Sequence, residues 1–227
     1  MLFRSKHFNA RETLDAAKKW VEFVEDGNKM LLAMAGAMST AEIGISLSEM
    51  IRSGKIHAIS CTAANLEEDI YNLLANKEYE MVPQYRDLSP EQEVELRDRG
   101  LNRVTDTCIP EDVMRHIDDK IVGYWLEANE KGESHFPAEY FFRLIKEGIL
   151  DEHRQIPREH SWVIAAYETG IPIYTPGWED CTLGNSFAAE VLYGRVKNVN
   201  VVRHGIEQMT HLVRWYLENT KIGRAHV

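Results

Sequence analysis

The chain has 227 residues, the size of one large domain or two small ones, since domains run roughly 100–200 residues. Hydrophobic residues at 44% and charged residues at 27% exclude a disordered or collagen-like chain and allow an apolar core without disulfide or metal staples. A net charge of −10 is unsuited to a broad phosphate-tracking nucleic-acid surface.

Cys61, Cys108 and Cys181 are odd in number and far apart, which fits neither a disulfide framework nor a zinc knuckle. No run reaches the ~18 apolar residues of a membrane span, and no charged-then-apolar leader opens the chain. The expectation is a soluble, cytoplasmic α/β protein with no nucleic-acid or membrane partner.

Leu14, Ala17, Val21 and Val24 recur at helical spacing and predict an amphipathic helix over Ala10–Glu25, broken at Gly27. Lys29–Ala35 is a short apolar run of buried-strand length. Ser39-Thr-Ala-Glu42 reads as a capping box. The helix it opens carries Ile43, Leu47, Met50 and Ile51 on one face and stops at Gly54. His57–Cys61 is a second strand. A helix over Leu66–Leu74 follows, with Asn65 as cap and Glu67, Glu68 and Asp69 in its first turn.

Lys77–Pro110 is charged and poorly periodic, and reads as a surface excursion. Helices follow over Asp112–Glu130, with Val113, Ile117, Ile121 and Trp125 as the buried stripe, and over Pro137–Glu147 and Ser161–Glu168. Ile171–Tyr174 is a third strand, ended by Pro176-Gly177. The tail helix, Arg203–Asn219, shows Ile206, Met209, Val213 and Leu217 as its buried stripe.

Strands alternating with helices imply a parallel sheet with helices on both faces. Ligands of such sheets bind outside the carboxyl ends of the strands. The segments Gly36–Glu42, Thr62–Asp69 and Thr175–Asn185 are therefore expected to converge on one crevice.

The first offers backbone amides at Ser39–Ala41 and two hydroxyls that suit a pyrophosphate, although plain helix capping uses the same residues. In the second, carboxylates can accept ribose hydroxyls or pair with a cation; acids at a helix start also stabilise it through its dipole. The third combines turn formers with Trp178, Glu179 and Asp180, the composition of a functional loop. Trp178 reads as a lid over an aromatic-walled site or as core, and Cys181 as a thiol beside the crevice. His153 and His160 have no paired ligand at metal spacing, so no metal site is expected.

Taken together, His7-Phe8-Asn9-Ala10, Leu32–Gly44 (LAMAGAMSTAEIG), Arg103–Asp112 (RVTDTCIPED) and Pro176–Asn185 (PGWEDCTLGN) resemble the deoxyhypusine synthase family, most closely its bacterial deoxyhypusine synthase-like branch. The resemblance implies a Rossmann-like parallel sheet that binds NAD as cofactor, a polyamine such as spermidine as substrate, a protein or small-amine acceptor, and a homotetramer.

In the synthases proper, NAD oxidises spermidine, diaminopropane leaves, and a catalytic lysine carries the aminobutyl group as an imine to a protein lysine. By the resemblance, Ser39, Thr40, Thr62, Ala63, Ala64, Glu68 and Asp180 inherit cofactor contacts, and Glu67, Glu68 and Asn185 inherit substrate contacts. The family's paired glycines are Ala64 and Asn65 here. Its final acid is Asn185, a neutral amide that forms no charge-assisted bond to an amine. That change raises a homospermidine synthase-like reaction on a small amine as an alternative.

None of the lysines present, Lys221 included, sits in the family's lysine motif, so the nucleophile is expected beyond the chain end. Ile222–Val227 (IGRAHV) matches the translation of a common sequencing adapter. Residues 1–221 therefore read as the amino-terminal portion of a single deoxyhypusine synthase-like domain, its sheet incomplete at the C-terminus, and 222–227 as a non-native tail. Alternatives from other classes are a non-catalytic NAD- or polyamine-binding module and a scaffold whose acids only cap helices.

Overall fold

The structure, a computed structural model, describes residues 8–220; the expected tail, His7 and Lys221 lie outside them. Helix α1 (Phe8–Glu25) precedes β1 (Leu31–Met34), α2 (Gly44–Arg52), β2 (Ala58–Cys61) and α3 (Ala63–Ala75). β3 (Glu80–Met81), α4 (Pro90–Asp98), β4 (Leu101–Val104) and β5 (Thr107–Pro110) follow. The remainder is α5 (Glu111–Lys131), α6 (Pro137–Lys146), α7 (Trp162–Thr169), β6 (Ile173–Tyr174), α8 (Thr182–Leu192) and α9 (Gly205–Asn219).

The expected parallel sheet forms in the order β1-β2-β6, with Leu31 opposite Ala58 and Ile59 opposite Ile173. In the central strand, Ala58, Ile59 and Cys61 are all buried. Successive residues point to opposite sides, so both faces of β2 are covered, as a parallel strand requires. The fold is α/β, as the alternation predicts.

The helix α3 runs through the middle of the molecule, its residues from Asn65 to Ala75 all buried. The stripe expected on α5 is confirmed: Ile117, Ile121 and Trp125 are buried. Trp125 packs edge-on against Phe187, ring centroids 5.0 Å apart, and Phe187 in turn meets Trp178. Trp178 is thus part of the core and does not act as a lid.

Other expectations are corrected. Ser39 and Glu42 form no capping box; α2 starts at Gly44, and its N-cap, Ile43, makes no side-chain bond. The cap of α3 is Thr62, whose hydroxyl accepts from the Asn65 amide. The helix therefore begins earlier than expected, and the three acids fall past its first turn. Lys77–Pro110 is built rather than irregular: β3, β5 and β4 pair as an antiparallel sheet, and Ser89 and Gln92 form a capping box on α4. Strands of two to four residues are too short to show a period-2 pattern.

Helix α9 reverses its expected orientation. Ile206 is 81% exposed, Leu217 61%, Val213 46% and Met209 42%. Its buried residue is Gln208, whose side-chain oxygen accepts from the Thr175 amide at 2.8 Å. A polar tether to the end of β6 thus outweighs the apolar stripe. At dilutions where the chain is monomeric, lysines at Ile206 and Leu217 are expected to shift the unfolding free energy by less than about 0.5 kcal/mol, as at other exposed positions. A larger loss in urea unfolding would show that this face is packed.

Candidate functional site

Because the sheet is parallel, its three strands end on one side, and the connections leaving them meet there. A crevice of about 480 Å³ opens at these ends, lined by residues 33–35 and 60–62, Gly177 and Asp180. Small side chains at Ala33 and Ala35 leave the strand ends open, and the exposed Asp180 supplies a carboxylate at the rim. A volume of this size is that of a small-molecule site.

Hydrogen bonds knit the three connections together. The Thr62 hydroxyl donates to the Gly36 carbonyl at 2.7 Å, and Gly36 takes φ +64°, the turn that lets the chain double back. The Ser39 hydroxyl donates to the Asn65 carbonyl and accepts from the Trp162 indole. Ser39 is thereby fully engaged and buried, and not open to a phosphate.

The three consecutive acids of α3 each hold a different segment. Glu67 accepts from the Thr182 and Leu183 amides at 3.0 and 3.1 Å, at the start of α8. Glu68 accepts from the Thr40 hydroxyl at 2.7 Å. Asp69 accepts from the Ser161 hydroxyl and the Trp162 and Val163 amides, at the start of α7. Burial raises all three above the usual carboxylate range, Glu67 and Asp69 to about 7, against the lowering effect of these donors.

Neither Glu67 nor Glu68 lines the strand-end crevice. Glu67 and Ala63 instead border a small internal cavity of about 20 Å³ beside Trp125 and Trp178. Thr40 lines a second cavity, of about 560 Å³, walled by Glu42, Asn72, Tyr79 and the 104–107 hairpin. Glu42 and Thr105, on facing walls, are the non-glycine residues with positive φ among the described residues, a conformation that favours glycine. The Tyr79 hydroxyl is buried without a hydrogen-bond partner, and Glu68, Asp69 and Glu42 add their charge to burial in holding its proton on.

Of the remaining expected residues, Thr62 and Asp180 line the crevice, while Ala64 sits half-buried in the first turn of α3. Asn185 is exposed on α8. The Cys181 thiol donates to the Trp178 carbonyl and accepts from the Gly184 amide, and burial pushes its proton affinity up; it is a helix cap and not a reactive thiolate. Sequence reasoning missed Asn72, Tyr79 and Asp106, whose cavity depends on a hairpin that left no periodic signal.

The geometry defines a parallel α/β protein with a ligand-sized crevice at its strand ends. Comparison with known families narrows this: a deoxyhypusine synthase family model matches residues 2–226. The chain belongs to the deoxyhypusine synthase family.

A deoxyhypusine synthase-like protein of Chlorobaculum tepidum is 26% identical over 195 residues, covering 86% of this chain and 52% of that protein. Another, from Nostoc sp., is 30% identical over 76% of this chain and 44% of its own length. The chain thus spans about half the length of these relatives. The crystal structure of a candidate deoxyhypusine synthase from Entamoeba histolytica superposes with a TM-score of 0.53 at 13% identity, over 85% of this chain and 56% of that one; it supports the shared fold.

Proposed function

We propose that this chain is the amino-terminal portion of an NAD-dependent transferase of aminobutyl groups, of the deoxyhypusine synthase-like type. The observation that carries the reading is the meeting of three connections around one strand-end crevice with Asp180 at its rim. In a parallel α/β sheet that is where a dinucleotide binds. Thr62 and Asp180 line the crevice, with Ser39, Ala63 and Ala64 behind them; bound there, NAD supplies hydride transfer.

The amine is placed along the same turn, where its carbon can reach the nicotinamide for hydride to pass. Glu42 and Asp106 face the 560 Å³ cavity, and Thr40 links it to Glu68. The Tyr79 side chain stands in the cavity wall, with its hydroxyl buried and unpartnered. Glu67 contributes by fixing α8, which carries Asn185. The neutral, exposed Asn185 favours a small-amine acceptor, as in a homospermidine synthase-like enzyme, as the second reading.

The nucleophilic lysine is proposed to lie outside this chain, and the whole enzyme to work as a cytoplasmic homotetramer. The bare apolar stripe of α9 and the free edge of β6 support a larger assembly, since such surfaces are ordinarily covered. The chain as it stands is expected to self-associate, and a monodisperse monomer in sedimentation would contradict this.

Calorimetric titration tests the reading. NAD and spermidine are each expected to bind, with the first altering the affinity for the second. Glu68→Gln is expected to weaken spermidine binding about tenfold by removing the negative charge that stands behind Thr40 at the cavity wall. Independent binding of the two ligands, or indifference to Glu68→Gln, would count against a shared site. Spermidine-dependent NADH formation by these 227 residues is expected to be absent, and clear turnover would remove the need for a missing lysine.

A further inference from the structure

The turn that leaves β1 has no regular secondary structure, yet Ser39 within it is 1% exposed. What holds it is a side chain from another element. Asn65 is itself fully buried. Its side-chain NH₂ donates to the Gly36 carbonyl and to the Thr62 hydroxyl, both at 2.8 Å, and reaches the Ala35 carbonyl at 3.3 Å. Its side-chain oxygen accepts from the Ser39 amide at 3.1 Å. Every polar atom of the carboxamide is engaged, and all but the contact to Thr62 run to the turn and not to its own helix.

Two of these partners, Ala35 and Thr62, stand on the walls of the strand-end crevice. They follow the ladder pair Met34 and Cys61, whose spacing the sheet fixes, and the Asn65 bonds carry that join one step further, into the turn.

We infer that Asn65 is the positioning residue of the crevice: it sets the path of the 36–39 turn as the chain leaves the crevice wall at Ala35. It acts through the backbone and touches no ligand. Loss of the carboxamide takes the side-chain acceptor from the buried Ser39 amide and a donor from the Ala35 carbonyl, and leaves Gly36 with the Thr62 hydroxyl; in a buried setting each unmade bond is strongly felt. The turn, lacking other regular pairing, is where the structure gives way.

Amide hydrogen exchange with a paired affinity measurement tests this; the affinity arm rests on the dinucleotide reading above, and the exchange arm does not. In Asn65→Ala, amides of residues 36–42 are expected to exchange about 10- to 100-fold faster relative to those of β2, and NAD affinity to fall about tenfold. Ile117→Ala, a core change in α5 that lowers global stability, is expected to leave the relative protection of the turn unchanged.

Equal loosening of the turn in both variants would overturn the inference, as would a loosened turn with undiminished NAD affinity. If the unaltered chain binds no NAD, the dinucleotide reading fails and the exchange comparison alone decides the role of Asn65. Should Asn65→Ala not fold, the unaltered protein still decides it. The Ser39 amide is expected to exchange as slowly as that of Ile59, and exchange at loop rates would overturn the inference.

Discussion

Asp69→Ala is expected to lower the unfolding free energy by at least about 3 kcal/mol, because it strands three buried donors that each cost roughly 1–3 kcal/mol unpaired. These are the Ser161 hydroxyl and the Trp162 and Val163 amides at the start of α7. The surroundings cannot collapse to compensate. A Cβ on Gly44 would already lie 2.3 Å from the His160 carbonyl oxygen and 2.9 Å from an Asp69 carboxylate oxygen, so α2 is seated hard against this junction. Asp69→Asn retains a side-chain acceptor and is expected to fall between alanine and the native residue. Urea unfolding gives the comparison, and a midpoint for Asp69→Ala equal to that of the native chain would show that α7 is held by other means.

Stability is also expected to fall as pH rises from 5 to 8. Burial raises Glu67 from an ordinary 4.5 to about 7, and Asp69 from 3.8 to about 7, with Glu68 moved in the same direction. Between the two values the folded chain holds protons that the unfolded chain has released. The stabilisation is then complete below the unfolded value and lost as pH passes through the folded one. For Glu67 alone the change is on the order of 3 kcal/mol, from about 1.4 kcal/mol per pH unit.

Glu67→Gln, a neutral acceptor of similar shape, is expected to flatten this dependence. Urea midpoints at pH 5 and pH 8 measure it. A midpoint that rises with pH would mean that the amides of α7 and α8 outweigh burial and keep these groups ionised.

The sheet was legible because its strands are short apolar runs between clear helical periods, and β2 in particular lies within His57–Cys61 as read. The crevice was legible for a related reason: parallel strands must end together, so the segments after Ala35, Cys61 and Tyr174 had to meet. The detail of the turns was not. Ser39 and Glu42 have capping-box spacing, but Ser39 finds better partners in Asn65 and Trp162, contacts between residues far apart in sequence.

The acidic run Glu67–Asp69 read as a helix start whose carboxylates meet a ligand or complement the dipole. Tertiary donors from α7, α8 and Thr40 make it a buried hub instead, and nothing local signals that. On α9 the period was right and the facing wrong, because Gln208 binds the Thr175 backbone and turns the apolar stripe outward.

The central claim is one of place: a dinucleotide lies at the ends of β1, β2 and β6. Crystals of the chain soaked with NAD test it most directly. Density running along Ala33–Ala35 and Ser60–Thr62, with a ribose within hydrogen-bond reach of Asp180, is the predicted result. NAD bound elsewhere on the molecule, with that crevice filled only by solvent, would contradict it.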